Sequence, residues 1–307
     1  MSEHSQNIPS KIDKIDTYEI SDQAVLLKYP VVSVHMITYN HESYIAQAIE
    51  GVLVQKTDFP FELIIGEDCS TDHTRTIVLN YQKKYPALIR VITSDNNVGM
   101  MNNSLRTMDA CRGKYIALCE GDDYWTDPQK LQKQVDYLKA NEDCSLCFHA
   151  AEFVYSNNPK KKFIHRPKRI PKDFKFQMKH AIWGGGGFMV TNSMFFKKEC
   201  LNESADWMDK APVGDVPLML LLASKGKVGY IDDVMSVYRF MTENSWSKSM
   251  RVKGERKKRH YSLLQMWDSF DEWSDYKYHS YIRLKKIKNI FNYHKGLLAA
   301  WLPRATK

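Results

Sequence analysis

The chain has 307 residues, 43% of them hydrophobic, which is typical of a globular protein and excludes a largely disordered one. The longest strongly apolar run, residues 216–223, is far too short to cross a bilayer as a helix. The formal net charge is +8, and many of the Lys and Arg residues lie in clusters. Such clusters indicate either an anionic partner, for example a lipid surface or a nucleotide, or faces of the protein that are exposed to water. Nucleic acid is not expected, because no helix-turn-helix, zinc-finger or aromatic RNA-binding signature accompanies these clusters.

The six cysteines lie mostly in apolar runs, and no secretory signal precedes them. We therefore expect reduced thiols in a cytoplasmic protein. The spacing of Cys144, Cys147 and His149 is compatible with the first ligands of a zinc site. Because no second pair of ligands lies at a matching interval, a structural core strand is the favoured interpretation.

Short apolar strands alternate with helices through the first half of the chain. Residues 1–29 are polar and weakly patterned, and we interpret them as a leader or an edge segment. Strands are predicted at 31–37, 61–66, 88–93 and 115–119, with one helix capped by Ser43, one ending near 84 and one at 100–112. This alternation predicts right-handed βαβ units and an α/β fold with a mostly parallel sheet flanked by helices.

Polar loops follow three of these strands, at Tyr39-Asn40, at Glu67-Asp68 and at 120–123. Ligands of parallel sheets bind beyond the carboxyl ends of the strands, so we expect the three loops to form one crevice. The chain has neither a Walker A motif nor a G-x-G-x-x-G after its first strand, so no glycine-rich cradle holds phosphates. The same absence disfavours nucleotidyl transfer on a similar sheet.

The third loop, 120–125, carries three carboxylates in four residues, Glu120, Asp122 and Asp123. Ionised carboxylates this close repel one another unless a cation neutralises them. Oxygen ligands on a short loop suit Mg²⁺ or Mn²⁺, which substrate phosphates usually complete. The alternative is an acidic helix N-terminus, because residues 126–128 open a helical pattern.

Beyond a predicted helix at 127–141 and a strand at 145–155, the pattern is weaker. The basic stretch 157–179 is rich in turn residues, and we expect it to have no counterpart in the sheet. Four glycines at 184–187 indicate either close backbone approach to a ligand, a mobile loop over the site or a tight connection. Residues 189–196 are strand-like.

The last third contains an acid at the start of a buried helix, Asp215, for which a helix cap is one interpretation. Two helices at 253–270 and 276–301 are rich in Lys, Arg and aromatic residues. The second is basic and amphipathic, which fits peripheral contact with an anionic inner membrane face. It fits equally well a helix packed on the domain with its lysines in water.

The motifs at 32–40, 67–74 and 120–128, followed by Lys130-Leu131 and Gln134, resemble in order and spacing those of bacterial family 2 glycosyltransferases. The resemblance covers the first half of the chain. It implies a GT-A, Rossmann-like fold at 30–245 with a helical extension at 246–307, a nucleotide-sugar donor and inverting transfer.

The resemblance also implies a donor site. Tyr39, Asn40 and Asp68 would contact the nucleoside, with Asp68 reading the base. Asp122 would bind the Mn²⁺ or Mg²⁺ that bridges the donor diphosphate. Glu120 stands where the family has its first aspartate and would contact the ribose or metal-bound water.

In the same family, an acid placed like Asp215 acts as the catalytic base, which takes the proton of the acceptor hydroxyl. Arg239 would contact the diphosphate or support the site. The family often has a histidine two residues beyond this arginine, where the chain has Met241, while Trp246 and Ser247 are retained.

The expected function is therefore a metal-dependent, inverting hexosyltransferase of bacterial polysaccharide biosynthesis. It would move a sugar from a nucleoside diphosphate, UDP, to a hydroxyl of a cell-surface or capsular glycan, free or lipid-linked. The alternative is a catalytically inactive GT-A-like module that binds nucleotide or glycan, which Met241 and Glu120 motivate.

Overall fold

The computed structural model describes residues 15–168, 171, 174–201, 207–208, 211–242, 248 and 255–301. Ten strands are present in this part of the chain: β1 Tyr18–Ile20, β2 Val32–Thr38, β3 Phe61–Glu67, β4 Ile89–Thr93, β5 Tyr115–Leu118, β6 Tyr124–Trp125, β7 Cys144–Tyr155, β8 Asn158–His165, β9 Phe195–Lys197 and β10 Lys227–Phe240. The α-helices are α1 Ile45–Leu53, α2 Thr74–Lys84, α3 Met100–Asp109, α4 Lys130–Ala140, α5 Met178–Gly184, α6 Asp215–Lys225, α7 Glu255–Trp273 and α8 His279–Trp301.

The strands form one sheet in the order β1-β4-β3-β2-β5-β9-β7-β10-β6, with β8 paired to β7. The pairs within β4-β3-β2-β5 and the pair β7-β10 are parallel. Strands β1, β6, β8 and β9 join antiparallel. The predicted α/β architecture, a largely parallel sheet flanked by helices, is confirmed.

Two hydrophobic cores lie on the two faces of the sheet, because successive side chains of a strand point to opposite sides. Along β3, Leu63 and Ile65 enter the core that also contains apolar residues of α1 and α4. Ile64, between them, enters the core shared with α5, α6, α7 and α8. Because both faces of the sheet are covered, successive residues of its strands are apolar, and the strands appear in the sequence as continuous apolar runs.

The basic stretch after β7 differs from its prediction. We expected no counterpart in the sheet at 157–179, but residues 158–165 form β8, antiparallel to β7. Phe163 stacks on Phe153 with ring centroids 4.9 Å apart, and Lys162 pairs with Glu152 at 2.9 Å. The prediction was wrong because these cross-strand pairs, and not an apolar alternation, stabilise the hairpin.

Smaller predictions also need correction. Ser43 does not cap α1, whose N-cap is Tyr44 without a side-chain cap hydrogen bond. Helix α3 ends at Asp109, three residues before the predicted end. In the segment 189–196 the strand β9 begins only at Phe195, after a 3₁₀ turn at Thr191–Ser193.

Other expectations agree with the structure. Cys144, Cys147 and His149 are buried in β7, as the core-strand interpretation predicts, and all six cysteines are free thiols. Residues 18–20, within the segment interpreted as a leader or an edge, form the edge strand β1. Among the described helices, none has both the length and the apolar character needed to cross a membrane.

Candidate active site

The polar loops meet where β2, β3 and β5 end, since these parallel strands are neighbours in the sheet. Three non-glycine residues at this edge have positive φ: Asn40 (54°), Cys69 (55°) and Met241 (71°). Each follows a strand closely, after β2, β3 and β10. Backbone of this kind is costly for L-residues and is found preferentially at functional sites.

Asn40 joins the first polar loop to the second. Its Oδ1 accepts a hydrogen bond from the Thr71 amide at 2.8 Å, and its Nδ2 donates to Thr71 Oγ1 at 3.1 Å. Its own amide donates to Ser70 Oγ at 3.1 Å. Asn40 therefore holds two of the predicted site loops together, and its side-chain amide is engaged within the protein. Tyr39, the residue before it, is half-buried.

Asp68, predicted to read the base, has a carboxylate that is buried and bonded on both oxygens. Oδ1 accepts from the Val98 amide at 2.8 Å and Oδ2 from the Gly99 amide at 3.0 Å, and Arg106 lies 3.5 Å away. These contacts attach the second loop to the start of α3. Asp68 lies at the expected edge of the sheet, where its observed bonds are structural.

The acids of the third loop divide into two kinds. Asp123 is fully buried, with Oδ1 accepting from the Arg239 amide at 2.8 Å and Oδ2 from Asn192 Nδ2 at 2.9 Å. Asp122 is only partly buried, and its Oδ2 accepts from Thr242 Oγ1 at 2.7 Å. Asp123 thus anchors the loop, while Asp122 borders the crevice.

Glu120 lies close to two other acids. Burial, and then repulsion by Asp122 and Asp215, raises the pKa of Glu120 to about 8, which a hydrogen bond with Thr191 only partly offsets. Its Oε2 is buried without a hydrogen-bond partner among the described residues. The folded chain therefore brings together three carboxylates, two of the acidic loop and one almost a hundred residues later in the sequence.

Asp215 is the first residue of α6 and follows the N-cap Gly214. Its Oδ1 accepts a hydrogen bond from the neighbouring Val216 amide at 2.8 Å. Burial raises the pKa of this carboxyl. Asp215 lies in a small crevice with Gly185, Gly186 and Met219, so the glycine-rich segment borders it.

Arg239 is held from several sides. Its Nη1 donates to the main-chain oxygen of Asp122 at 2.6 Å and its Nη2 to Gln47 Oε1. The guanidinium lies 4.5 Å from the ring centre of Tyr124 and 5.0 Å from that of Tyr44. Arg239 was expected either to contact the diphosphate or to support the site. The observed contacts hold the acidic loop in place, as the second role requires.

A divalent cation fits the donor set at this edge. Within the described residues no three His, Cys, Asp or Glu side chains form a complete protein-only site. Mg²⁺ and Mn²⁺ do not require one, since they keep water ligands and are completed by substrate phosphates. The buried, unpartnered Oε2 of Glu120 and the nearby carboxylate of Asp122 are ligands of the right kind.

Several residues of this site were not singled out from the sequence. Asn192 accepts from Ser236 Oγ at 2.8 Å in addition to bonding Asp123, so it connects the acidic loop to β10. Thr191 and Thr242 contact the carboxylates of Glu120 and Asp122. No motif marks these residues.

A family model described as glycosyl transferase family 2 matches residues 33–204. An uncharacterised protein of Mycobacterium tuberculosis is 34% identical over 70% of this chain, and the chain spans about 60% of that relative's length. A putative teichuronic acid biosynthesis glycosyltransferase of Bacillus subtilis is 32% identical over 73% of this chain and 86% of its own length.

Two solved structures are similar in fold. The Staphylococcus aureus protein TarS, residues 1–349 with UDP-GlcNAc, has a TM-score of 0.55 at 16% identity, covering 78% of this chain and 66% of its own. A mannosyltransferase of Pyrobaculum calidifontis, with GDP-Man and Mn²⁺, has a TM-score of 0.59 at 15% identity, covering 91% and 77%. At these identities the likeness concerns the fold.

Proposed function

The chain belongs to glycosyl transferase family 2 and has the GT-A fold expected from its sequence, and on this basis we propose that it is a metal-dependent, inverting glycosyltransferase. The proposed reaction moves a sugar from a nucleoside diphosphate, UDP, to a hydroxyl of a cell-surface or capsular glycan. The observation that carries the proposal is the convergence of Glu120, Asp122 and Asp215 at the carboxyl edge of the sheet.

Asp215 is the proposed base. Inverting transfer requires one carboxylate to accept the proton of the acceptor hydroxyl while that oxygen attacks the anomeric carbon. Burial raises the pKa of Asp215 above the usual value of 3.8, which makes the carboxylate a stronger proton acceptor. Asp215 borders the glycine-rich segment through Gly185 and Gly186, so the proposed acceptor would approach the carboxylate along this segment.

Asp122 and Glu120 are the proposed ligands of Mn²⁺ or Mg²⁺. A bound divalent cation would neutralise the diphosphate and stabilise it as a leaving group. The carboxylates of Asp122 and Asp215 repel that of Glu120. A bound cation would lower the free energy needed to ionise all three, so this repulsion favours cation binding.

The remaining donor contacts are proposed for Tyr39, Asn40, Asp68 and Arg239. Asn40, Asp68 and Arg239 already bond within the protein, so their proposed part is to shape and orient the nucleoside and diphosphate pockets. UDP is proposed because one structural neighbour holds UDP-GlcNAc. Because another structural neighbour is in complex with GDP-Man, a donor test should compare UDP-sugars with GDP-sugars.

The acceptor is proposed to be a surface glycan, free or lipid-linked, because a relative is named for teichuronic acid biosynthesis. The reaction would take place in the cytoplasm, with the protein in peripheral contact with the anionic inner face of the membrane. Helix α8, which contains five Lys and Arg residues and neither Asp nor Glu, supports this location.

The test is release of nucleoside diphosphate from a panel of nucleotide sugars with Mn²⁺, with and without candidate glycan acceptors. We expect release with one donor, and loss of at least a hundredfold in Asp215→Asn while nucleotide binding persists. Asp109→Asn, which changes an exposed carboxylate at the end of α3, is the matched control and should be fully active. Binding of nucleotide without release from any donor would instead support the inactive module.

A further inference from the structure

Helix α8 has one face packed on the protein and another directed into solvent. Ile282 and Lys285 are 1% and 7% exposed, and Ile282 belongs to the core shared with α6 and α7. Leu284, Ile287 and Phe291 are 55%, 55% and 66% exposed. Spacings of three and four residues place these three side chains in one row along the helix, which we call the outer stripe.

An apolar row of this kind on the surface requires an explanation. Single exposed apolar residues are ordinary, but a contiguous row marks a surface that contacts another apolar phase or partner. Ile290, 38% exposed, and Tyr281, 46% exposed, extend the apolar surface on either side of the outer stripe. The stripe lies opposite the face that buries Ile282, so the rest of the described chain does not cover it.

The charges of α8 are all of one sign. The helix contains Arg283, Lys285, Lys286, Lys288 and Lys295 and neither Asp nor Glu. Three of these cations are used within the protein: Lys285 Nζ donates to the Trp183 carbonyl, Lys286 pairs with Asp268, and Lys288 Nζ lies 4.2 Å from the Trp183 ring centre. Arg283 and Lys295 are exposed on the two sides of the outer stripe.

We infer that the outer stripe, flanked by Arg283 and Lys295, docks on an anionic lipid surface. Apolar side chains enter the boundary between headgroups and acyl chains, while the flanking cations meet phosphate or other anionic headgroups. A second copy of the chain is a poorer occupant, because a two-fold contact through this face would place cations from both copies together.

This docking would place the proposed active site near the membrane. The packed face of α8 carries Lys285, whose Nζ lies 2.8 Å from the Trp183 carbonyl oxygen, directly before the glycine-rich segment that borders Asp215. A Cβ on Gly185 would lie 2.7 Å from this same Nζ, so helix and segment are in close contact. The inference deepens the proposed function, since a lipid-linked acceptor would be supplied at that surface.

The experiment is co-sedimentation of the full chain with vesicles of phosphatidylcholine alone and of phosphatidylcholine mixed with phosphatidylglycerol. We expect binding to the mixed vesicles. The triple variant Leu284→Ser/Ile287→Ser/Phe291→Ser should weaken the partition coefficient by about a hundredfold or more. The variant Arg283→Gln/Lys295→Gln should weaken it about tenfold and remove most of the preference for anionic vesicles.

The matched control is Val54→Ser, directly after the end of α1. This apolar side chain is 55% exposed, and α1 packs on the face of the sheet opposite to that of α8. The control should bind vesicles like the parent chain. Equal loss in this control, or no loss in the triple variant, would overturn the inference.

Two further measurements exclude other causes. Circular dichroism and thermal unfolding of the triple variant should match the parent, because its substitutions are on solvent-exposed side chains. Light scattering should show the same mass for both proteins. If the parent chain is a dimer that does not bind vesicles, and the triple variant is a monomer, the outer stripe contacts a second copy of the chain. That result would overturn the lipid assignment. Vesicle binding needs no donor and no turnover, so it can fail while the proposed transferase activity holds.

Discussion

The main-chain amide of Arg239 donates a hydrogen bond to Oδ1 of Asp123 at 2.8 Å, across 116 residues of sequence. The end of β10 is thereby attached to the loop after β5. Asn192 is bonded to the other oxygen and the side chain is fully buried, so the carboxylate of Asp123 is engaged within the protein and does not face the crevice. The carboxylate available to a ligand is that of its neighbour, Asp122.

This division of roles predicts different effects for the two acids. Asp123→Ala removes the acceptor of the Arg239 main-chain amide and one of the two acceptors of Asn192 Nδ2, and it should lower the free energy of unfolding by about 2–4 kcal/mol. Asp122→Ala should change stability by about 1 kcal/mol or less, because its carboxylate is partly exposed. Urea unfolding of both variants measures the difference.

For donor binding, Asp122→Ala should have the larger effect and Asp123→Ala the smaller one. Asp122→Ala should abolish the Mn²⁺-dependent part of nucleotide-sugar affinity, measured by calorimetry with and without EDTA. Where Asp123→Ala is still folded, it should retain part of that dependence. Equal stability loss in both variants, with metal-dependent binding intact in Asp122→Ala, would contradict the assignment of Asp122 as the ligand.

Gly121 should not tolerate a side chain. A Cβ at this position would lie 2.7 Å from Thr38 Oγ1 and 2.8 Å from Thr38 Cβ, so the acidic loop would have to shift. Gly121→Ala should lower nucleoside diphosphate release more than tenfold and destabilise the protein by about 1–3 kcal/mol. The control Gly187→Ala, where a Cβ would meet no atom within 4 Å, should be close to the parent in stability.

His35 should make the protein less stable in mild acid. Burial lowers the pKa of His35 from 6.5 to about 4, so between these pH values the unfolded chain binds the proton and the folded chain does not. Stability from this residue is complete above pH 6.5 and is lost as pH falls toward 4, by up to about 3 kcal/mol.

His35→Gln keeps a donor for the Ser104 carbonyl oxygen, which lies 3.1 Å from His35 Nε2. Unfolding free energies between pH 7 and pH 4 should therefore fall less steeply in this variant than in the parent. Identical slopes in the two proteins would show that the fold does not lower the pKa of His35.

Lys130 is buried between Trp125, whose ring centre is 3.9 Å from Nζ, and Gln134, whose Oε1 accepts its hydrogen bond at 2.7 Å. Burial lowers the pKa of Lys130 from 10.5 to about 7. Between these values the unfolded chain binds more protons, so stability should rise with pH. Lys130→Met should remove this rise. Chemical denaturation at intervals from pH 7 to 9 measures it, and Lys139→Met, on the last turn of α4, is the control.

The amino-acid sequence alone determined the alternation of strands and helices, since buried parallel strands must be continuous apolar runs. The same alternation placed the loops at Asn40, Asp68 and Glu120 on one edge of the sheet. It also identified the acidic stretch, because adjacent carboxylates require a cation or a buried partner. Local physics was sufficient for these features.

Tertiary structure decided which of these residues face the crevice. Whether Asp122 or Asp123 is free depends on Asn192 and Arg239, which come from distant segments that no local pattern relates to the acidic loop. The hairpin partner β8 likewise depends on cross-strand pairs with β7. The proximity of Asp215 to Glu120 is decided in the same way, since only the tertiary fold brings these two carboxylates close enough to repel each other.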